Sequence, residues 1–335
     1  MLQLENETGL EAAIFASPDP AGIDTLYAVV KGTFDLTRGL ALAEEQVPIA
    51  LAAEHYGDPA TTSMRTAPDI SLVKPGTDVL VRGTAYAPGG RPTTWMDVRL
   101  RLGALDKTVR VFGDRYWRWQ GVGYVATEPE PFEAMPLVWE RAFGGTDSIG
   151  EELSAESRNP VGTGYHASGG SKPVEGERLP NLEDPRAPLV SWKERPPPAC
   201  FAPIAAHWEP RRSYAGTYDE KWQQSRAPYL PEDFDSRFFN VAPPDQVFGG
   251  YLFGGEPVEL TGFTREGVLR FALPALGVRV TYFVGGSSEV RPANLDTVLI
   301  EPDESRVVLV WRAALRCDKK LLRVEKVRVD LERAG

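Results

Sequence analysis

The clearest periodicities lie toward the two ends of the chain. Met96, Val98, Leu100 and Leu102 alternate with Asp97, Arg99 and Arg101. A period of two turns one face to a core and leaves the charges in water. Val109 and Val111 follow the short connection Gly103-Ala104-Leu105-Asp106-Lys107, so residues 96–112 predict a β-hairpin. Residues 26–36 and 78–86 are rich in β-branched and aromatic side chains and predict further strands. Near the other end Leu269, Phe271 and Leu273 alternate, as do Val278, Val280, Tyr282 and Val284. Residues 296–301 and 306–311 predict two strands joined by the turn Pro302-Asp303-Glu304-Ser305, and residues 320–331 a last one.

Many short strands with Gly- and Pro-bearing turns, and no long helical period among them, predict a mainly β fold. Antiparallel sandwich or barrel-like sheets would come from the N- and C-terminal thirds. Residues 1–126 and 251–335 are these two β-rich parts of a single region spanning 1–335. Residues 127–250 differ. They are dense in Pro and Gly, including Pro196-Pro197-Pro198 and Pro243-Pro244, yet hold Trp139, Phe143, Tyr165, Trp192, Trp208, Tyr214, Tyr218, Trp222, Phe234, Phe238 and Phe239. A disordered linker lacks such aromatics. The stretch therefore predicts long ordered loops clamped onto the sheets, and loops of this length are often functional. A few short helices are expected in it: Thr217-Tyr218-Asp219-Glu220 forms a capping box, and Pro231-Glu232-Asp233-Phe234 places Pro and acids at a helix start.

Composition narrows the function classes. The 335 residues are 42% hydrophobic and 25% charged, enough for a sizeable core. A net charge of −10 argues against nucleic acid as a partner. The basic group Lys319, Lys320 and Arg323 reads as a solvated strand end. Cys200 and Cys317 stand too far apart in sequence for a zinc or disulfide framework, and they read as free thiols in a reducing compartment. The N-terminus is acidic where a signal peptide needs base, and no apolar stretch approaches about 20 residues. The expected location is the cytoplasm, with no membrane contact.

No catalytic constellation emerges. Gly121-Val122-Gly123 and Gly162-Thr163-Gly164 resemble weakened dinucleotide fingerprints, but the first runs into Pro129 and Pro131 and the second into Ser168-Gly169-Gly170. Both read as turns. A Cys200–His207–Asp219 grouping can be drawn, with a buried thiol and a packed imidazole as the plainer reading. His55 and Asp58 offer two possible metal ligands, and Asp219, Glu220, Asp233 and Asp235 form an acidic group among aromatics. Paired carboxylates could hydrolyse glycosides, but acids also suit helix starts. Glu140-Arg141-Ala142-Phe143-Gly144-Gly145 reads as a buried Glu–Arg pair fixing a tight turn, or as a recognition loop anchored by Arg141. No catalytic residue, cofactor or metal is expected.

Motifs in a fixed order carry a resemblance: Val29-Val30-Lys31-Gly32-Thr33-Phe34, Lys74-Pro75-Gly76-Thr77-Asp78, Glu140-Arg141-Ala142-Phe143-Gly144-Gly145, Asn159-Pro160-Val161-Gly162, Leu179-Pro180-Asn181-Leu182-Glu183, Ala215-Gly216-Thr217-Tyr218-Asp219-Glu220-Lys221-Trp222, Pro231-Glu232-Asp233-Phe234-Asp235 and Ala242-Pro243-Pro244-Asp245-Gln246. Over nearly its whole length the chain resembles bacterial proteins encoded beside type VI secretion spikes, PAAR-type tips and toxin effectors. The resemblance implies a non-enzymatic adaptor or chaperone that holds an effector and helps load it onto the spike. A carboxylate-dependent hydrolase and a structural part of the injection machine are the alternatives. Partner contact would fall on aromatic and Arg anchors, here Arg141, Phe143, Trp192, Trp208, Tyr214, Tyr218 and Trp222.

Overall fold

The protein, seen here as a computed structural model, is described over residues 2–149, 151–167 and 174–332. The strands of its three larger sheets begin with β1 (Gln3–Asn6), β2 (Glu11–Pro18), β3 (Asp24–Asp35) and β4 (Asp78–Val81). They continue with β5 (Trp95–Leu102), β6 (Leu105–Phe112), β7 (Leu182–Glu183), β8 (Pro257–Thr261) and β9 (Val268–Ala272). The last are β10 (Val278–Val284), β11 (Ser287–Pro292), β12 (Asn294–Glu301), β13 (Arg306–Arg316) and β14 (Val324–Leu331). One sheet runs β2-β3-β13-β12-β4, with Ala41–Leu42 pairing on β3. A second runs β7-β6-β5-β8-β9 and a third β1-β14-β10-β11. The fold is mainly β and none of these sheets closes into a barrel.

Each larger sheet interleaves the two ends of the chain. β3 pairs antiparallel with β13 over its whole length, from Thr25↔Arg316 to Asp35↔Arg306. The predicted strand of residues 78–86 breaks at Arg82-Gly83, and its first half, β4, pairs parallel with β12. The hairpin β5–β6 forms with Leu102 opposite Leu105. Its turn is the two residues Gly103-Ala104 rather than the longer connection expected, because Gly103 takes φ 55 and closes it tightly. The last strand begins at Val324; Lys319, Lys320 and Arg323 lie instead in the 3₁₀ turn Asp318–Arg323.

β3 and β13 are long enough to serve two cores with one face. Val30 and Phe34 with Val307, Leu309 and Trp311 join a main core shared with Met96, Val98, Leu100, Val109 and Val111 of the second sheet. Further along the same face, Leu26 and Ala28 with Ala313 and Leu315 pack on Val280, Tyr282 and Val327 of the third. The opposite face carries buried charge: Lys31 pairs with Asp69 at 2.8 Å, and Arg312 with Asp296 at 2.7 Å. With both faces covered, β3 is buried continuously from residue 25 to 34 instead of alternating.

Candidate functional site

Buried polar side chains hold the middle segment against the sheets. Asp78 on β4 accepts from Asn240 Nδ2 at 2.9 Å, from the Val241 and Ala242 amides at 2.9 and 3.2 Å, and from Lys74 Nζ at 2.8 Å. Gln246 Nε2 donates to the carbonyls of Val79 at 2.7 Å and Phe201 at 3.1 Å. Trp139 Nε1 donates to Pro203 O at 2.9 Å, and Arg211 to Ile204 O at 2.6 Å. Several of these bonds satisfy buried backbone groups of the loops, among them the Val241 and Ala242 amides and the Pro203 and Ile204 carbonyls. Asn159 does the same for the turn at residues 142–145, donating to Trp139 O and Phe143 O. Gly144 sits at φ 150 there, and a Cβ on it would lie 2.1 Å from Asn159 O, so no larger residue fits.

Between these attachments opens a cleft of about 520 Å³. Pro197, Pro198, Pro210, Pro243 and Pro244 wall it, with Trp139 and Ile204 among its apolar lining. Lys107 of β6 also lines it, only 7% exposed. It occupies an inward register position, opposite Leu100 and flanked on the same face by Val109. Its Nζ binds Asp245 Oδ1 at 2.9 Å and lies 5.5 Å from the centre of the Phe201 ring. Burial lowers the Lys107 pKa, against the pull of Asp245. The other lining charges are paired: Asp184 with Arg186 at 2.8 Å, and Arg158 with Glu156 at 2.7 Å. Glu209 takes the Ser213 hydroxyl at 2.5 Å.

A model of the family described as an uncharacterized protein conserved in bacteria, DUF2169, matches residues 21–312, which include every residue of this cleft and Asp78 beneath it. The chain belongs to the DUF2169 family. No curated protein and no solved structure matches it.

In this DUF2169 chain the aromatic anchors expected from sequence divide into two groups. Phe143 and Trp208 are each 1% exposed and form core, Trp208 edge-on to Trp139 at 6.1 Å. Both rings are engaged inside the chain rather than at its surface. Trp192 and Tyr214 are half-buried, Trp192 against His166 and Tyr214 beneath the Arg237 guanidinium at 4.4 Å. Arg141 is half-buried and donates to Asn181 Oδ1 at 3.0 Å. The expected Glu140–Arg141 pair does not form, because Glu140 is taken by the Ser63 amide and hydroxyl at 2.7 and 2.8 Å. Tyr218, 53% exposed, meets the half-buried Trp222 at 4.7 Å.

Tyr218 and Trp222 belong to an arm, residues 217–231, built around α1 (Glu220–Ser225). Most of its side chains are exposed, Tyr229 at 40%. Asp219 rather than Thr217 caps α1, accepting from the Trp222 amide at 2.8 Å, while Thr217 donates to Asp233. Residues 231–234 form a turn instead of a helix start, and Asp235 caps the 3₁₀ turn Ser236–Phe239. The arm touches the sheet side through Arg226, which donates to Pro20 O at 2.9 Å.

The remaining candidates for chemistry come apart. Cys200 is fully buried, and desolvation pushes its thiol up to about 11. His207 accepts from Trp208 Nε1 at 2.9 Å, and Asp219 is the helix cap. Hydrogen bonds from Thr217 hold Asp233 below the usual carboxylate range, and those from Arg237 do the same for Asp235. A general acid needs the opposite shift. Asp58 accepts from the Ala60 amide within its own loop. No group of three or more His, Cys, Asp or Glu among the described residues is placed to hold a metal ion, and none of the described helices is long and apolar enough to cross a membrane. The Gly121-Val122-Gly123 stretch is the turn of the hairpin Trp117–Trp119/Tyr124–Ala126. Thr163–Gly164 pairs with Phe143–Gly144, while Ser168-Gly169-Gly170 lies outside the described residues.

The cleft itself was missed by sequence reasoning. Its signal is Lys107, a charged residue at an inward position of a strand whose alternation is otherwise clean.

Proposed function

We propose that this DUF2169 chain is a non-enzymatic cytoplasmic adaptor that binds a toxin effector and assists its loading onto a PAAR-tipped type VI spike. The observation that supports it best is the arm at residues 217–231. It presents Tyr218, Trp222 and Tyr229 outside the core, on a short backbone projection held by few bonds. Trp, Tyr and Arg dominate protein–protein hot spots, and here Tyr218 and Tyr229 keep much of their rings in solvent while the Trp222 indole donates to Tyr229 O at 2.8 Å and so holds the arm together. The acids around it are engaged as caps, which suits recognition better than acid–base chemistry.

The test is coexpression with each protein encoded beside it. One effector or PAAR-type protein should copurify with the native chain, and the double variant Tyr218→Ala/Trp222→Ala should lose it while melting at nearly the same temperature. If no neighbouring product copurifies and deletion leaves effector abundance and secretion unchanged, the proposal fails. Fixed-stoichiometry recovery in sheared, assembled spikes would replace it with a structural role in the machine.

A further inference from the structure

We infer that the proline-walled cleft receives an uncharged, apolar segment of the partner polypeptide, one of whose peptide carbonyls binds Lys107. The inference rests on the adaptor reading and names what a second surface of that adaptor would hold.

Charge selects the occupant. Lys107, Arg158 and Arg186 line the cleft with Asp184, Asp245 and Glu209, so cations and anions balance. Every one of these cations already faces a carboxylate at 2.7–2.9 Å. A charged side chain entering this space would give up water and meet like charge, while Lys107, Arg158 and Arg186 are already engaged by carboxylates. An uncharged apolar chain meets no such penalty, and a volume of about 520 Å³ lies within the ordinary range for enclosed ligands.

Lys107 sets the polar contact. Its ammonium carries three N–H donors. Among the described residues one acceptor meets it, Asp245 Oδ1. The Phe201 ring face lies 5.5 Å away, and the Asp184 carboxylate adds a longer-range attraction. A buried ammonium with donors to spare calls for an oxygen. The carboxylates lining the cleft disfavour an anionic oxygen there, which leaves the neutral carbonyl of a peptide bond.

The prolines decide the manner of binding. Lacking N–H groups, they cannot extend a sheet onto the incoming chain, so capture is through side-chain packing and the Lys107 bond rather than strand addition. Their fixed φ also keeps the walls in shape before binding, which reduces the ordering cost.

Ligand-detected NMR and calorimetry on the full chain would test this with three capped tripeptides: acetyl-Leu-Phe-Leu-amide, acetyl-Leu-Phe-Asp-amide and acetyl-Leu-Phe-Lys-amide. The first should bind saturably and at least about tenfold more tightly than either charged peptide. Lys107→Met should weaken it about tenfold, the loss of one charge-assisted hydrogen bond. Because that change could disturb the core, Thr108→Trp is the second variant: Thr108 is half-buried on the lining, and bulk there should abolish peptide binding with the thermal melt unchanged. Equal binding of the charged peptides, unaltered binding by folded Thr108→Trp, or no binding of the neutral peptide would each overturn the inference. If the neutral peptide fails while an effector still copurifies, the cleft assignment falls and the adaptor reading stands. If it binds while no effector ever copurifies, the adaptor reading falls and the apolar-peptide site stands.

Discussion

Two stretches of the middle segment share a composition and differ in everything else. Residues 199–211 and 240–247 hold Cys200, Phe201, Trp208, Asn240 and Gln246, all at most 5% exposed. Residues 217–231 hold Tyr218, Trp222 and Tyr229, which stand partly or largely in solvent. Both are rich in Pro and aromatics. The first is tied down because Asp78 of β4 takes the loop amides, Gln246 bonds β4 through Val79 O, and Arg211 bonds Ile204 O. The second meets the body through Arg226, which donates to Pro20 O, and through Tyr229, whose ring lies beside Gly22. An aromatic becomes core where a buried polar side chain first satisfies its neighbours' amides and carbonyls, and remains a surface feature where none does.

The contrast can be broken most sharply at Asp78. Asp78→Ala leaves the buried Val241 and Ala242 amides without this acceptor and removes a partner from Lys74 and Asn240, and urea unfolding should show a loss of about 3–5 kcal/mol. A loss near zero would sink the idea that this carboxylate holds the segment in place. Gln246→Ala removes two bonds to buried carbonyls and should cost about 1–3 kcal/mol by the same measurement.

Glu156, the partner of the cleft residue Arg158, sharpens the comparison through pH. Burial opposes its charge, but the Arg158 hydrogen bonds outweigh that and hold the carboxyl below its usual range. A depressed folded value gives stability that is present above the ordinary glutamate pKa, about 4.3, and is lost as pH falls through the lower folded value. Glu156→Gln should therefore be less stable than the parent at neutral pH, with the gap narrowing under acid in denaturation midpoints.

On the arm, Trp222→Ala should change global stability by less than about 1 kcal/mol, because its loss leaves little buried void. Its expected effect is on copurification of the partner. The smallest response belongs to the thiols. Cys200 and Cys317 are buried and burial raises both, so the native protein should not react with a thiol reagent at mild alkaline pH, whereas unfolding should release both cysteines.

Much of the strand content was readable from local pattern. The hairpin β5–β6 follows from strict alternation, and the turn before β13 from Pro302 to Ser305, where Ser305 adopts a left-handed conformation. Helix caps were half readable: the box beginning at Thr217 marked the place, but Asp219 does the capping because Thr217 is engaged by Asp233. The cleft was visible only as one inward lysine, since its proline walls come from stretches far apart in the chain.

The sequence by itself determined that the protein is mainly β and where most of its strands lie, because a period of two is a property of neighbouring residues on one backbone. Only the tertiary structure decided that β3 joins β13, that β4 lies parallel to β12, and that Trp208 is core while Tyr218 is not. Those outcomes depend on which distant groups can complete a hydrogen-bond ladder or cover a ring, and no local pattern carries that information.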